Sequence, residues 1–483
     1  MSEKPNDTAA EHVAAASERA DVAAGEVPTQ IPDNADTRKI SRDDIAELEK
    51  FDGKPSVRST LPIALCHVFA MLIGNITPAM LIASSLGLSA ADETTLVQAS
   101  MIVAGISTLM QIWPVLKCGM GLPTVMGVSF AYIPVLTSIG LNHGVAAIFG
   151  AQLAAGVVML VLGALIEKIR KFFPPIVTGT VVLAIGLSLY STAVNYMGGG
   201  SAAKAAGTFG SPEFLILAAV TLVVTLLCGF LGKGLIKVSG MMVGIAVGFV
   251  LAIVMGNGLV DFSSLGSSSW ISLPRPLGFG IEFYPDSILL MALLNVVQAV
   301  QMIGGTSSTT VGAYGREATA DELGGAIRGQ GVASMLGALF GGLPTSVFNQ
   351  NTGLICTSKI VARRVFVAAS AIMILAGVCP KFSALVSCIP LSVVGGATVT
   401  VFAVIAVSGI ETICEQPLTY RNKIIVGLSL ALGMGIGSVP EILQFLPEVV
   451  QDVFGSSLAV SFIFAFLLNI LIPEGEKDRA KQM

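Results

Sequence analysis

The sequence predicts an all-α integral membrane protein, and three observations support this fold class. The 483 residues are 53% hydrophobic, and their mean hydropathy is +0.81. Only 12% of the residues are charged, whereas soluble domains carry about 25% charged residues. Apolar runs long enough to span or half-span a bilayer recur from about residue 60 to about residue 473. Their regular spacing indicates one membrane domain rather than several soluble domains.

Fourteen apolar segments follow one another along this domain. The third and the tenth are weak helix candidates, because Pro, Gly and polar residues interrupt them. We therefore predict fourteen spans, of which two are broken. The segments lie near residues 60–84, 95–116, 122–141, 144–166, 175–195, 213–231, 238–256, 286–312, 326–341, 345–359, 362–380, 389–410, 422–438 and 456–473.

The distribution of basic residues predicts that both termini are cytoplasmic, because cytoplasmic loops carry an excess of Lys and Arg. With this orientation the outer gaps hold only Lys204, Arg275 and Lys381. One span more or fewer would invert half of the pattern. The basic residues on the predicted cytoplasmic side are Lys54, Arg58, Lys117, Lys168, Arg170, Lys171, Lys233, Lys237, Arg316, Arg328, Lys359, Arg363, Arg364, Arg421, Lys423, Lys477, Arg479 and Lys481.

Composition also divides the chain into three parts. Residues 1–57 are rich in Ala, Glu, Asp, Ser and Thr, which predicts a disordered cytoplasmic tail without the pattern of a cleaved signal peptide. Residues 58–473 form the membrane domain, and residues 474–483 form a second cytoplasmic tail. The seven cysteines contain no CxxC pair, so we expect no metal site and no cofactor.

A short sequence motif that occurs twice predicts an inverted repeat of seven plus seven spans. Residues 119–124 read GMGLPT, and residues 340–345 read FGGLPT. The two copies open the third and tenth spans, which are an odd number of spans apart, so the second copy is inverted. Paired broken spans in inverted repeats indicate a transporter site near the middle of the membrane.

Proline predicts what the broken spans contain. Pro123 and Pro344 prevent a regular helix, and the backbone beyond them must find other partners inside a membrane. Two short antiparallel strands, drawn from Val125–Tyr132 and Ser346–Asn349, would pair across the repeat interface. A half-helix would follow each strand and present free N–H groups and partial positive charge to the middle of the membrane.

The triplet Asn349, Gln350 and Asn351 lies at the start of the second half-helix. Amides both donate and accept hydrogen bonds, which suits a neutral planar solute with alternating N–H and C=O groups. Phe130 from the other repeat could offer a ring face for stacking. The alternative is that Asn349 and Asn351 only cap a broken helix.

Several motifs resemble those of the nucleobase–ascorbate transporter family, over roughly residues 58–473. Residues 350–359, QNTGLICTSK, are similar to the family signature, which is Gln or Glu, Asn, any residue, Gly, four variable residues, Thr, and then Arg, Lys or Gly. Ser358 stands in place of the Thr and keeps its hydroxyl. The other matching motifs are Cys66-His67, Ser129-Phe130-Ala131, FPPIVTG at 173–179, GREAT at 315–319 and IPLSVVGG at 389–396.

The resemblance implies a core domain of spans 1–4 and 8–11 that moves against a gate domain of spans 5–7 and 12–14, in a homodimer. It implies that Gln350 contacts the substrate and that Asn351 supports it. Phe130, Ala131 and Asn349 match positions whose ring or backbone touches the substrate. The supporting or coupling positions are His67, Ser129, Gly304, Gly305, Gly353, Ser358 and Lys359.

The sequence departs from the family at the position tied to proton coupling. The Glu-x-x-Gly of span 8 is replaced by Gln301-Met302-Ile303-Gly304, which places Gln301 where the family has the Glu that clamps the substrate. An Asp that is common in span 9 is replaced by Gln330. Because buried carboxylates and histidines are the usual proton carriers, His67 is the single candidate left inside a predicted span, and it is equally well explained as a structural histidine. Hydroxyls such as Ser129 and those at 306–310 leave a sodium site open.

These observations predict a plasma-membrane permease for a nucleobase, either a purine such as xanthine or uric acid or the pyrimidine uracil. We expect facilitated diffusion or coupling to something other than protons, no enzymatic activity and no nucleic-acid partner. One alternative is an anion exchanger, since half-helix N-termini can hold an anion. Another is a solute-binding sensor that has lost transport.

Overall fold

A computed structural model describes residues 42–169, 174–232, 236, 239–256, 258–262, 265–266 and 269–472, so most of both predicted tails lies outside the described residues. The helices are α1 (Arg42–Leu48), α2 (Val57–Ser85), α3 (Ala90–Ile112), α4 (Ile133–His143), α5 (Val145–Ala164), α6 (Ile166–Ile169), α7 (Pro175–Met197), α8 (Gly200–Ala205), α9 (Pro212–Leu231), α10 (Gly240–Met255), α11 (Pro285–Tyr314), α12 (Ala320–Phe340), α13 (Asn349–Ser358), α14 (Arg363–Val378), α15 (Pro380–Ser387), α16 (Leu391–Cys414), α17 (Tyr420–Ser438), α18 (Glu448–Gly455) and α19 (Ser457–Leu471). The strands are β1 (Met126–Val128) and β2 (Thr345–Val347).

The first described helix lies inside the segment that the sequence predicted to be disordered. Helix α1 is fastened to the start of α2 through Asp44, whose carboxylate accepts hydrogen bonds from Ser56 N–H at 2.9 Å, Ser56 Oγ at 2.7 Å and Ser59 Oγ at 2.8 Å. These hydrogen bonds lower the pKa of Asp44, because they favour its ionised form. Local capping chemistry therefore orders residues that composition alone assigned to the tail.

Seven of the described helices are long and apolar enough to cross a membrane, namely α2, α3, α5, α7, α9, α11 and α16. An eighth span results if α14 and α15, which meet at an angle of 80°, are counted as one. Helices α10 and α19 are apolar but shorter. The predicted third and tenth spans contain strands and short helices, so neither is one long continuous helix.

The helices pack as two groups. Helices α2, α3, α4, α5, α11, α12, α13 and α14 contact one another, and helices α7, α9, α10, α16, α17 and α19 form the second group. Several contacts recur seven predicted spans apart: α3 packs on α14 as α5 packs on α12, and α9 packs on α10 as α17 packs on α19. Helices α7 and α16 cross closely because Gly186 has no side chain; a Cβ there would lie 2.5 Å from Ala406 N.

Strands β1 and β2 pair in antiparallel register, with Met126 opposite Val347 and Val128 opposite Thr345. Two further backbone bonds flank the pair, from Phe348 N–H to Val125 O at 3.0 Å and from Ser129 N–H to Pro344 O at 3.2 Å. The pair joins the two halves of the chain at the point where each half carries its Leu-Pro-Thr motif.

Both strands are shorter than the extended segments that the sequence predicted. Phe130–Tyr132 forms a 3-10 turn, because the Ser129 side chain accepts a hydrogen bond from Ala131 N–H and turns the chain out of the strand. In the second segment Asn349 is already the first residue of α13. The predicted strand ranges Val125–Tyr132 and Ser346–Asn349 were therefore wrong at their C-terminal ends.

Candidate functional site

The outer edges of the two strands are satisfied by buried side chains of neighbouring helices. Asn75 Oδ1 on α2 accepts from Val128 N–H at 2.7 Å. Gln330 Nε2 on α12 donates to Thr345 O at 2.8 Å. Since an unpaired backbone group is costly in a membrane interior, these amides hold the strand pair in place. Gln330, which replaces the Asp common in the family, thus has a structural partner.

A cavity of about 320 Å³ lies beside the strand pair and between the two groups of helices. The strand–helix units and α11 form one wall, and α7 and α16 form the other. None of the lining residues carries a charge. They are Val128, Ser129, Phe130, Ala131, Val182, Ile185, Gln301, Ser346, Val347, Phe348, Asn349, Gln350, Val401, Val404, Ile405 and Ser408.

Three primary amides face this cavity. Gln301 is half-buried on α11, and Asn349 and Gln350 are exposed at the start of α13. Within the described part of the chain, no hydrogen bond to protein occupies these side chains. Their C=O and NH₂ groups are therefore free to pair with a bound solute.

The N-terminus of α13 adds backbone donors to the same wall. The N-cap residue is Phe348, and it makes no side-chain capping hydrogen bond. The first backbone donor inside the helix is Asn351 N–H, which donates to Phe348 O at 3.1 Å, so the N–H groups of Asn349 and Gln350 precede the intrahelical ladder. The capping alternative is wrong for both asparagines, because neither side chain caps α13.

Two phenylalanines shape the cavity. Phe130 packs edge-on against Phe402 of α16, with ring centroids 5.4 Å apart, and is 7% exposed. The Phe348 ring covers Gly127 of β1, where a Cβ would lie 2.4 Å from the ring. The sequence did not single out Phe348, although it immediately precedes the amide triplet.

Asn351 does not line the cavity; it lies behind it and binds His67. Its Nδ2 donates to His67 O at 2.9 Å and contacts His67 Nδ1 at 3.1 Å. Because a carbonyl oxygen only accepts, the contacting amide atom is the nitrogen, and Nδ1 must accept as well. His67 is then neutral with its proton on Nε2, held by Asn351 and packed near the Phe366 ring at 5.1 Å.

A second cavity of about 830 Å³ adjoins the first and shares Gln301 and Asn349 with it. It runs between α11 and the facing ends of α7 and α16, as far as Pro174 and Glu415. Gly304 and Gly305, predicted as supporting residues, line this vestibule. Gly305 lets α11 approach β2, since a Cβ there would lie 2.4 Å from Val347.

Three of the predicted supporting residues lie away from the cavity, along α13 and at its far end. Gly353 is exposed, with open space where a Cβ would project. Ser358 Oγ donates to Leu354 O at 2.7 Å and accepts from Ile360 N–H at 3.3 Å. The backbone of Lys359 is in the left-handed region, with φ of 57°. Its Nζ donates a hydrogen bond to Gly312 O, which connects the end of α13 to α11. Ser358 and Lys359 therefore end the helix.

Sequence analysis missed the apolar wall of the cavity and one polar neighbour. Val182, Ile185 and Ile405 look like any lipid-facing residues in sequence. Gln298 lies one helical turn before Gln301, and it accepts from Ser129 Oγ at 3.5 Å while its buried Nε2 finds no acceptor among the described residues. Its helical spacing from Gln301 was a usable signal.

Curated relatives match this chain over most of its length. The nucleobase transporter PlUacP of Paenibacillus larvae is 33% identical over 87% of this chain and 96% of its own. The xanthine permease XanP of Escherichia coli is 32% identical over 88% and 94% of the two chains, and the uric acid permease PucJ of Bacillus subtilis is 32% identical over 86% and 93%.

Solved structures share the fold at low sequence identity. The transmembrane domain of the cyanobacterial bicarbonate transporter BicA has a TM-score of 0.55 at 15% identity, and the match covers 85% of this chain and 97% of that one. The inward-facing murine anion transporter Slc26a9 has a TM-score of 0.58 at 14% identity, covering 91% of this chain and 72% of that one.

The sequence model of the Permease family matches residues 58–442. The chain therefore belongs to the Permease family of membrane transporters, the nucleobase–ascorbate transporters that its motifs resemble.

Proposed function

We propose that this permease moves a nucleobase across the plasma membrane, either a purine such as xanthine or uric acid or the pyrimidine uracil. The observation that carries the proposal is the uncharged cavity with the amides Gln301, Asn349 and Gln350 on one wall. Such a wall can match the alternating donors and acceptors of a planar base, while the Phe130 ring covers an apolar face. A volume of about 320 Å³ is at the small end for ligand sites and suits one small ring system.

The anion-exchanger alternative has weaker support in the site. Among the described residues no Lys or Arg lines either cavity, and Glu415 lies in the vestibule, where its carboxylate would repel an anion. The N-terminus of α13 is the feature that favours an anion. Likeness to anion transporters at about 15% identity concerns the fold and leaves the substrate to the site residues.

Uptake into proteoliposomes tests the proposal directly. Radiolabelled xanthine, uric acid and uracil should enter, and an excess of unlabelled base should compete where bicarbonate, chloride and sulfate do not. Competition by the anions alone would support the exchanger. Binding of a base to the purified protein without any entry would support a sensor and contradict transport.

We further propose fourteen spans in a seven-plus-seven inverted repeat, with a core of spans 1–4 and 8–11 that slides against a gate of spans 5–7 and 12–14. The two groups of helices and the contacts that recur seven spans apart support this division. The cavity between the groups supports an alternating-access, elevator-like movement, in which the strand–helix units carry the base past α7 and α16. We also propose that the protein is a homodimer and that both termini are cytoplasmic. The distribution of basic residues supports this orientation.

We infer that transport is not coupled to protons through a carboxylate of the substrate site. No carboxylate is found among the described residues that line the first cavity, and Gln301 stands where the family Glu would be. His67 Nδ1 accepts a hydrogen bond from Asn351 Nδ2. Protonation of Nδ1 would therefore place its N–H group against an N–H group of Asn351. Equilibration of the base down its own gradient is the behaviour that this arrangement supports.

A further inference from the structure

A third large cavity lies outside the proposed substrate site. It is a groove of about 620 Å³ at the ends of α2, α3 and α14, beside the segment that links α1 to α2. By the orientation proposed above, these helix ends are cytoplasmic. The groove is lined by Asp52, Gly53, Lys54, Pro55, Val57, Thr60, Leu61, Trp113, Arg363, Arg364, Val367, Ala368 and Ala371.

One end of the groove carries excess positive charge. Arg363 and Arg364 are the first two residues of α14, where the partial positive charge of the helix N-terminus disfavours them. Lys54 adds a third cation, and two carboxylates lie near these cations: Asp52 among the lining residues, and Glu47, which accepts from Lys54 N–H at 2.8 Å and pairs with Lys50 at 3.0 Å. Asp52 pairs with Arg363 at 3.0 Å, but its side chain is 80% exposed, so water weakens the pair.

Arg364 retains hydrogen-bonding capacity that faces the groove. Its Nη1 donates to Pro55 O at 3.3 Å, which uses one of the five N–H groups of a guanidinium. Arg363, in contrast, packs over the Phe51 ring at 4.5 Å and pairs with Asp52. Arg364 therefore has unused donors for an anionic group, and Lys54, whose acidic neighbour Glu47 already pairs with Lys50 at 3.0 Å, is the second available cation.

The rest of the groove is apolar and open to the outside of the helix bundle. Val57 and Leu61 on α2 are 77% and 46% exposed, and Ala371 on α14 is exposed as well. Trp113 follows α3 and is 44% exposed. Tryptophan is typical of the boundary between membrane and water, and the neighbouring apolar residues continue from it along α2 and α14.

We propose that this groove binds an anionic phospholipid of the cytoplasmic leaflet. Arg364 and Lys54 bind the headgroup phosphate, and an acyl chain lies along Leu61, Val367 and Ala371. Basic pockets between membrane helices on the cytoplasmic side suit anionic headgroups. The bound lipid joins the α1–α2 segment to α14.

Native mass spectrometry of the full-length protein in mild detergent tests the proposal. Phosphatidylglycerol and phosphatidylcholine with the same acyl chains are titrated separately, and bound lipid is counted. We expect phosphatidylglycerol to bind preferentially. The double variant K54Q/R364Q should bind it about thirtyfold more weakly, the effect of two cations near an anionic lipid.

The matched control is K168Q/K423Q, which removes two exposed cations of the same predicted face outside the groove, and it should bind phosphatidylglycerol like the wild type. Ala371→Trp keeps every cation, fills the apolar part of the groove and should also weaken binding. If the thermal midpoint of K54Q/R364Q in lipid-free detergent is below that of the wild type, Ala371→Trp is the variant that decides the test.

Three results would overturn the proposal: equal binding of the two lipids, unchanged binding in a folded K54Q/R364Q or Ala371→Trp, or displacement of the lipid by equimolar glycerol 3-phosphate, which would indicate a site for soluble anions. Because lipid is counted on purified protein without any transport, a failure here leaves the proposed nucleobase transport untouched.

Discussion

Removing the amide of Gln350 should weaken substrate binding without unfolding the protein. The side chain is exposed to the cavity and, among the described residues, has no protein hydrogen bond to lose. The penalty of Gln350→Ala therefore falls on the bound base. One uncharged hydrogen bond to a buried partner contributes about 1–3 kcal/mol, which corresponds to a roughly fivefold to 150-fold loss of affinity.

The next residue in the chain, Asn351, should behave in the opposite way, although it also carries a side-chain amide. Asn351 is fully buried and donates to His67. Asn351→Ala would leave His67 Nδ1 without its donor, at a cost of about 1–3 kcal/mol in the free energy of unfolding. Its thermal midpoint should fall, whereas that of Gln350→Ala should stay near the wild-type value.

Equilibrium binding of radiolabelled base and the thermal midpoint are measured on the same purified preparations. Gln444→Ala, which removes an exposed amide outside the cavity, is the matched control and should change neither quantity. A Gln350→Ala protein that folds normally and binds the base with wild-type affinity would refute the assignment of Gln350 as a substrate contact.

Three further predictions follow from the same contacts. Gln301→Glu restores a titratable group beside the substrate, so its uptake should depend on pH more than that of the wild type; identical pH profiles would place the lost coupling elsewhere. Gly127→Ala should abolish uptake, because its Cβ would lie 2.4 Å from the Phe348 ring, whereas Gly229→Ala, with open space around the new Cβ, should transport normally. In proteoliposomes with only a pH gradient, base should equilibrate but not concentrate; concentration that a protonophore collapses would contradict this, and its loss in His67→Gln would identify His67 as the proton site.

Much of the fold was predictable because local chemistry decides it. Pro123 and Pro344 forbid continuous helices, and the strand pair forms directly after them. The exact ends of the strands were not predictable from those prolines. They depend on the Ser129 hydroxyl, which turns the chain into a 3-10 helix, and on α13 beginning as early as Asn349.

Part of the candidate site was also predictable from the sequence, and part was not. The amides at 301, 349 and 350 stand out in an apolar sequence, and all three face the cavity. The apolar wall from α7 and α16 does not stand out, because Val and Ile facing a cavity cannot be told from Val and Ile facing lipid. Only the packing of two distant segments of the chain reveals that wall.

An amide at position 301, where the family has a carboxylate, should change the energetics of the whole transport cycle. A carboxylate in such a cavity must be neutralised by a proton or a cation before it can move through the membrane interior, which ties movement to that ion. Gln301 needs no counter-ion and still presents C=O and N–H to a base. Asn351 contacts His67 Nδ1 in the arrangement of a neutral imidazole, so under the elevator-like movement proposed above we expect the strand–helix units to move either loaded or empty without transferring charge. We therefore expect net flux to follow the gradient of the base, which the proteoliposome experiment with only a pH gradient tests.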